Sequence, residues 1–391
     1  MSAQELVAAS AMTRSRATGS QPTASSARRR RSTQLTVHLR TILPLILAIV
    51  VLSIYSNSRN SQFMTWNNYD NILSQISVLG ILAAGQTFLV ISGHLDLSVG
   101  SFVSFIGVVA ARMFASSLST PVVVVVCLAM GVATGLIWGV VVAYLRMPPF
   151  ILTLGGLSVF ASLALVLSNN TPIGVANGLS TLGFGTWFGL RAPALALLIV
   201  VLVTGLLLHF TRFGRDVFAL GSSAEASFLA GVPVRRLTIE VFALNGLLAG
   251  FAGLVMMARL ASGDPKSGSG LELATVAVTV LGGTALIGGR GTMFGTFLGA
   301  VLFGTVSASL TFLQVPGAYQ NLVGGGILIF AVLATAVADL RVNRVRGTDG
   351  AGPNLTALTR RLLGRPPAGD RATGLARRIG SEPQAELGNE S

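Results

Sequence analysis

Apolar runs of about twenty residues, separated by short stretches of Gly, Pro, Ser and Arg, recur along most of this chain. A helix needs about 20 such residues to cross a bilayer. The pattern predicts ten spans: 38–57, 71–91, 99–117, 121–145, 150–168, 193–210, 239–259, 273–288, 293–313 and 319–338. Ser119-Thr120-Pro121 separates the third from the fourth. The 273–288 segment is short and broken by glycines, which leaves a re-entrant piece as its alternative. The chain is thus expected to be an all-α polytopic membrane protein of about ten transmembrane helices. Residues 37–342 form its membrane domain. The flanks, 1–36 and 343–391, are rich in Arg, Ser, Ala, Gly and Pro and are expected to be disordered tails, because they hold too little apolar surface for a core.

Within the spans, glycines fall four apart. Gly131, Gly135 and Gly139 form one such row, and Gly291, Gly295 and Gly299 form another. Four residues is close to one helical turn, so each row makes a flat groove for a neighbouring helix backbone. Helix packing is their expected role.

Composition agrees with a membrane protein. Only 10% of the 391 residues are charged, and the mean hydropathy is +0.73; soluble domains carry about 25% charged residues. The net charge of +13 comes largely from arginines in the two tails. It reads as the basic flank that orients a membrane protein, with no nucleic-acid partner. Arg146, Arg212, Arg215, Arg235, Arg236 and Arg290 fall in alternate loops with the tails, which places both termini in the cytoplasm. The polar N-terminal stretch is too long for the n-region of a cleavable signal.

The chemistry that is missing narrows the function. A phosphate-binding loop needs G-x-x-x-x-G-K-[ST], and Lys266 is the single lysine, in a loop after Asp264-Pro265. Any ATP hydrolysis, and the ATP and Mg it uses, must therefore reside on a partner chain. No cofactor, metal cluster or catalytic constellation is encoded: Cys127 is solitary, and His38, His94 and His209 are scattered. Ion-driven carriers tend to carry several intramembrane ionisable groups. Here Asp96 is the one acid expected within the membrane, which disfavours a stand-alone carrier or channel, the alternative reading.

Two polar stretches stand out. The first, GHLDLSVGS at 93–101, lies between two spans. Asp96 is placed to cap the next helix, accepting from the N–H of Val99 or Gly100; equally, His94, Asp96 and Ser98 suit hydroxyl groups on a passing solute. In the second, Ser222-Ser223-Ala224-Glu225 fits a capping box with Ser222 as the cap and Glu225 reaching back, and Phe228, Leu229, Gly231 and Pro233 complete a short helix on the inner side. It is either a connector lying on the membrane or a knob that docks a cytoplasmic partner.

GHLDLSVGS resembles the GGIDLSVGS motif of the permease subunits of bacterial ribose/xylose-type ABC sugar importers. Four further stretches agree in order: 142–156, 214–236, 243–260 and 276–300, so that the resemblance covers about 42–342. It implies a homodimeric permease driven by two cytoplasmic ABC ATPase subunits and supplied by an extracytoplasmic sugar-binding protein. It also implies that Ser222, Ser223, Glu225, Phe228, Leu229 and Gly231 belong to a coupling helix seated on the ATPase, and that xylose, ribose or a related aldose is the cargo. Four positions depart from the family pattern. His94 replaces a second Gly, as in the xylose and multiple-monosaccharide branch; Ser223 stands for Asn, Phe228 for Arg, and Asn245 for a small residue. His94 and Asn245 therefore join Asp96 and Ser98 as candidates for the path or its gate.

Overall fold

The computed structural model of this protein describes residues 24–175 and 179–316, with isolated positions from 319 to 333; side chains are described from Ile42 onward. In chain order the helices are α1 (Ala24–Arg59), α2 (Trp66–Gln75), α3 (Ser77–Ile91), α4 (Val99–Ala115), α5 (Thr120–Leu145), α6 (Pro149–Ser168), α7 (Ser180–Phe184), α8 (Ala192–Phe210), α9 (Arg212–Ser222), α10 (Ala224–Leu229), α11 (Val234–Leu260), α12 (Leu271–Leu281) and α13 (Met293–Phe312). Among the described residues, four two-residue strands lie in the connections. Ile173–Gly174 (β1) pairs antiparallel with Ser262–Gly263 (β4), and Thr186–Trp187 (β2) with Leu190–Arg191 (β3). The β2–β3 turn has Phe188 at φ +55° and Gly189 at φ +79°. Two positive φ values in a two-residue loop match the right-handed twist of the strands it joins.

Among the described residues, six helical segments are long and apolar enough to cross a bilayer: Ile42–Arg59 of α1, then α5, α6, α8, α11 and α13. They run 18 to 27 residues, or about 27–40 Å, against a hydrocarbon core of about 30 Å. The expected span 71–91 is not one straight helix. It is the pair α2 and α3, bent by 51°. At the break at Ile76 the Ser77 hydroxyl donates to the Ser74 carbonyl at 2.7 Å.

The expected span 273–288 is also corrected. α12 has only 11 residues, about 16 Å, so it covers roughly half a bilayer core. Gly270 (φ +85°) precedes it, and Gly282-Gly283 (φ +88° at Gly283) breaks it. A side chain at Gly282 would strike the backbone of Gly295 and Thr296. The helical backbone of α1 reaches back to Ala24, inside the segment expected to be a disordered tail; its Ala, Arg and Gln residues are good helix formers. Residues 1–23 and 334–391, and most of 319–338, lie outside the described residues, and with them the tenth span, the C-terminal tail and the first 23 residues of the N-terminal tail.

Packing turns on α3, in which every residue from Ser77 to Ile91 is buried. It lies against α8, α11, α12 and α13. Helices α5 and α6, by contrast, expose Val125, Ile137, Ile151 and Val166. Exposed aliphatic side chains on an all-apolar helix are the surface that lipid covers. α5 meets α11 through its glycine row: added Cβ atoms would run into Gly246 O from Gly131, Phe242 O from Gly135, and Ile239 Cα, at 2.7 Å, from Gly139. The row Gly291–Gly299 is only partly what its spacing predicts. Gly295 and Gly299 sit on α13 and face Gly282 and Val278, but Gly291 precedes the helix, in the turn beside Thr284 and Ile91. Thr292 starts the helix, its hydroxyl accepting from the Gly295 N–H.

Candidate functional site

The stretch 93–101 is where α3 ends and α4 begins. Gly93, at φ +83°, closes α3, and the His94 N–H donates back to Leu89 O at 2.8 Å. The chain then runs without regular structure to α4. Asp96 is 4% exposed. Its Oδ1 accepts from Ser98 N (2.8 Å) and Ser98 Oγ (2.6 Å), and its Oδ2 from Asn245 Nδ2 on α11 (3.0 Å). The expected cap to Val99 or Gly100 is therefore not formed. Ser98 already has helical backbone angles and holds the N-cap position, so the carboxylate reaches only two residues on and makes an Asx-turn.

This turn fastens several helices together. Ser98 Oγ also accepts from Trp138 Nε1 on α5 at 3.2 Å, and the Leu97 N–H donates to Thr153 Oγ1 on α6 at 3.1 Å. Glycines make the approach possible. A Cβ at Gly156 would lie 2.6 Å from the Trp138 ring, one at Gly85 would lie 2.6 Å from Asn245 Oδ1, and one at Gly100 would strike Glu272 and Gly268. Asp96, Ser98 and Asn245, singled out from the sequence, are thus brought into one buried hydrogen-bonded group. His94 stands at its edge, half-buried. Its Nδ1 is 3.0 Å from Ser92 Oγ, and its ring sits edge-on to Phe242, one helical turn from Asn245.

Trp138 and Thr153 escaped sequence reasoning. A Trp in an apolar span reads as bulk, and only the need of a buried indole N–H for a partner hints at more.

The second polar stretch forms α9 and α10 at a junction with the end of α3. The capping serine is Ser223, not Ser222: Ser223 Oγ accepts from Ala226 N at 3.2 Å. Ser222 closes α9 instead, its hydroxyl donating to Phe218 O. The capping box is absent, because counting from Ser223 the third helical residue is Ala226 and Glu225 is the second. Gly231 takes φ +84°, as a helix-ending glycine should. Phe228 and Leu229 are 70% and 79% exposed, while Ser227 between the turns is buried.

The base of this knob is locked to α3. Gly289 N donates to Ile91 O at 2.8 Å. Gly221 packs so closely on Ile91 O that a Cβ there would overlap it, and would come within 2.6 Å of Gly289 N. Five residues after Ile91 comes Asp96. The exposed knob thus packs on a residue five positions before the buried carboxylate.

The family model described as "Branched-chain amino acid transport system / permease component" matches residues 68–332. Ribose import permease protein RbsC of Escherichia coli K12 is 37% identical over 293 residues, covering 74% of this chain and 91% of that protein. L-arabinose ABC transporter permease protein AraH of Azospirillum brasilense is 38% identical over 272 residues, covering 69% and 80%. Xylose transport system permease protein XylH of Haemophilus influenzae is 29% identical, covering 76% and 96%. No solved structure matches the chain significantly.

Proposed function

Because the chain belongs to the ABC-importer permease family that includes these ribose and L-arabinose permeases, we propose that it carries an aldose across the cytoplasmic membrane as the membrane subunit of a three-component importer. Its partners are cytoplasmic ABC ATPase subunits, which bind ATP and Mg, an extracytoplasmic sugar-binding protein, and a second copy of this chain. The observation that carries the coupling part is the α9–α10 knob: two apolar side chains stand exposed on a helix whose base is clamped to the end of α3.

In this reading Phe228 and Leu229 seat in a groove of the ATPase. Movement of α10 pulls Ile91 through the Gly221–Gly289 contact and loosens the Asp96–Ser98–Asn245 fastening. That both Asp96 oxygens accept hydrogen bonds, one of them from α11, supports its role as a gate fastening, with His94 beside it on the path. The arginines near α9 and α10 support a cytoplasmic position for this end of the bundle, and with it cytoplasmic termini.

Proteoliposomes with the permease, its ATPase and its binding protein test the reading. Radiolabelled D-ribose, D-xylose, L-arabinose and D-allose are offered in turn, with L-leucine as the comparison suggested by the family model's description. One sugar is expected to accumulate only with ATP and all components present. Accumulation of leucine and none of the sugars would overturn the cargo. Uptake by the permease alone under an ion gradient would instead favour the stand-alone carrier.

A further inference from the structure

Among the described residues, four buried side-chain polar atoms lack a hydrogen-bond partner, and they belong to three residues: Gln86 Nε2 and Oε1, Asn245 Oδ1 and Thr284 Oγ1. Gln86 is the extreme case. It lies in the middle of the wholly buried α3, is 0% exposed, and has neither end of its amide satisfied. Buried amides in native proteins nearly always find partners. A residue that merely filled this place would be better as Leu or Met, since an apolar group of the same shape avoids the desolvation cost.

Position on α3 is informative. Gly85 faces Asn245 of α11, with room for no Cβ, and the Thr87 hydroxyl meets the Thr296 hydroxyl of α13 at 2.8 Å. Gln86 projects about 100° from each, in the sector between them. The other two orphans sit on α11 and just after α12, both of which pack on α3. Asn245 holds the Asp96 fastening with its Nδ2 and leaves its Oδ1 free. Thr284 follows the glycine break at the end of the half-span α12, which also packs on α3.

We propose that Gln86 is a solute-contacting residue of the translocation path, whose amide meets the hydroxyl groups of a polyhydroxylated solute once the bundle opens between α3, α11 and α12. The amide supplies two N–H donors and an acceptor oxygen, which matches hydroxyls that both donate and accept. The described state is closed around it, so the missing partners are those of another stage of the cycle. This inference rests on the sugar-permease reading for the identity of the solute but not for the opening.

Two measurements test it with the complete transporter. In the first, Gln86→Leu and Gln86→Asn are compared in the four-sugar uptake assay. Gln86→Leu is expected to accumulate in membranes at the wild-type level, with an equal or higher thermal midpoint, yet to lose at least tenfold in uptake; Gln86→Asn is expected to recover part of it. In the second, Gln86→Cys is made with Cys127→Ser, which removes the chain's one cysteine. A small charged methanethiosulfonate is expected to label it at least tenfold faster during ATP turnover, or in one trapped state, than at rest. Wild-type uptake by Gln86→Leu, or a thiol equally unreactive in every state, would overturn the proposal. Should the wild type move none of the sugars, the cargo reading fails, and the thiol measurement still decides whether this position meets water.

Discussion

Asp96 is held by three donors from two residues, one of them 149 positions away on α11. Asp96→Ala would strand the Ser98 hydroxyl, the Ser98 N–H and the Asn245 amide in a buried site. A stranded buried partner costs about 1–3 kcal/mol, so this variant is expected to accumulate poorly and to melt earlier in detergent. Asp96→Asn differs. Rotation of the Asn245 amide would present its unpartnered Oδ1 to the new N–H, so the fastening can be rebuilt. This variant is expected to keep wild-type accumulation and most of its uptake. Full accumulation with complete loss of uptake would assign the charge itself a role on the path.

Glycine positions on the helices differ in what surrounds them, and that makes a controlled comparison at the scale of an element. On α5, Gly135 has no room: a Cβ would overlap Phe242 O and lie 2.8 Å from Ala243 Cα on α11. On α6, Gly155 has nothing within 4 Å. Gly135→Ala is expected to destabilise by about 1–3 kcal/mol through overpacking, visible as a lower thermal midpoint. Gly155→Ala is expected to be neutral or slightly stabilising, because Ala favours the helix. Equal effects at both positions would remove the groove account of α5 and α11.

The α10 knob permits a second element-scale prediction. Phe228→Asp with Leu229→Asp alters two side chains that are mostly exposed, so the bundle is expected to fold and melt as before while ATP-driven uptake falls at least tenfold. Pull-down of the ATPase in detergent checks the cause, and an unchanged yield of complex would place the defect elsewhere.

At the scale of the whole molecule, the single cysteine is a reporter. Cys127 is 0% exposed on α5 and close to the α5–α11 contact, its carbonyl lying 2.9 Å from where a Gly250 Cβ would be. A membrane-permeant maleimide is expected to leave it unlabelled in the folded protein. Labelling is expected to rise at the same temperature as loss of helical circular dichroism. Labelling well below that temperature would show that α5 leaves α11 before the bundle as a whole gives way.

Much of this protein could be read from its residue order, because in lipid each span must satisfy its own backbone hydrogen bonds and therefore announces itself as a continuous apolar run. The spans at 121–145, 150–168, 193–210 and 239–259 emerge nearly as their hydropathy predicts, and the glycine row of α5 discloses its own role by its spacing. Local chemistry also marked Asp96, Ser98 and the 222–231 stretch as unusual, and the family resemblance marked Asn245. What residue order could not supply was any relation between distant segments. Hydropathy alone does not separate a full span from the bent α2–α3 pair or the half-span α12, since all are apolar and differ in where polar side chains and glycines break the ladder. One residue of offset moved the cap from Ser222 to Ser223, although only Ser222 has a Glu three residues on. The partnership of Asp96 with Asn245, the support from Trp138 and Thr153, and the isolation of Gln86 are properties of helices meeting side by side. They arise only once tertiary packing has decided which polar atoms find a partner and which are left without one.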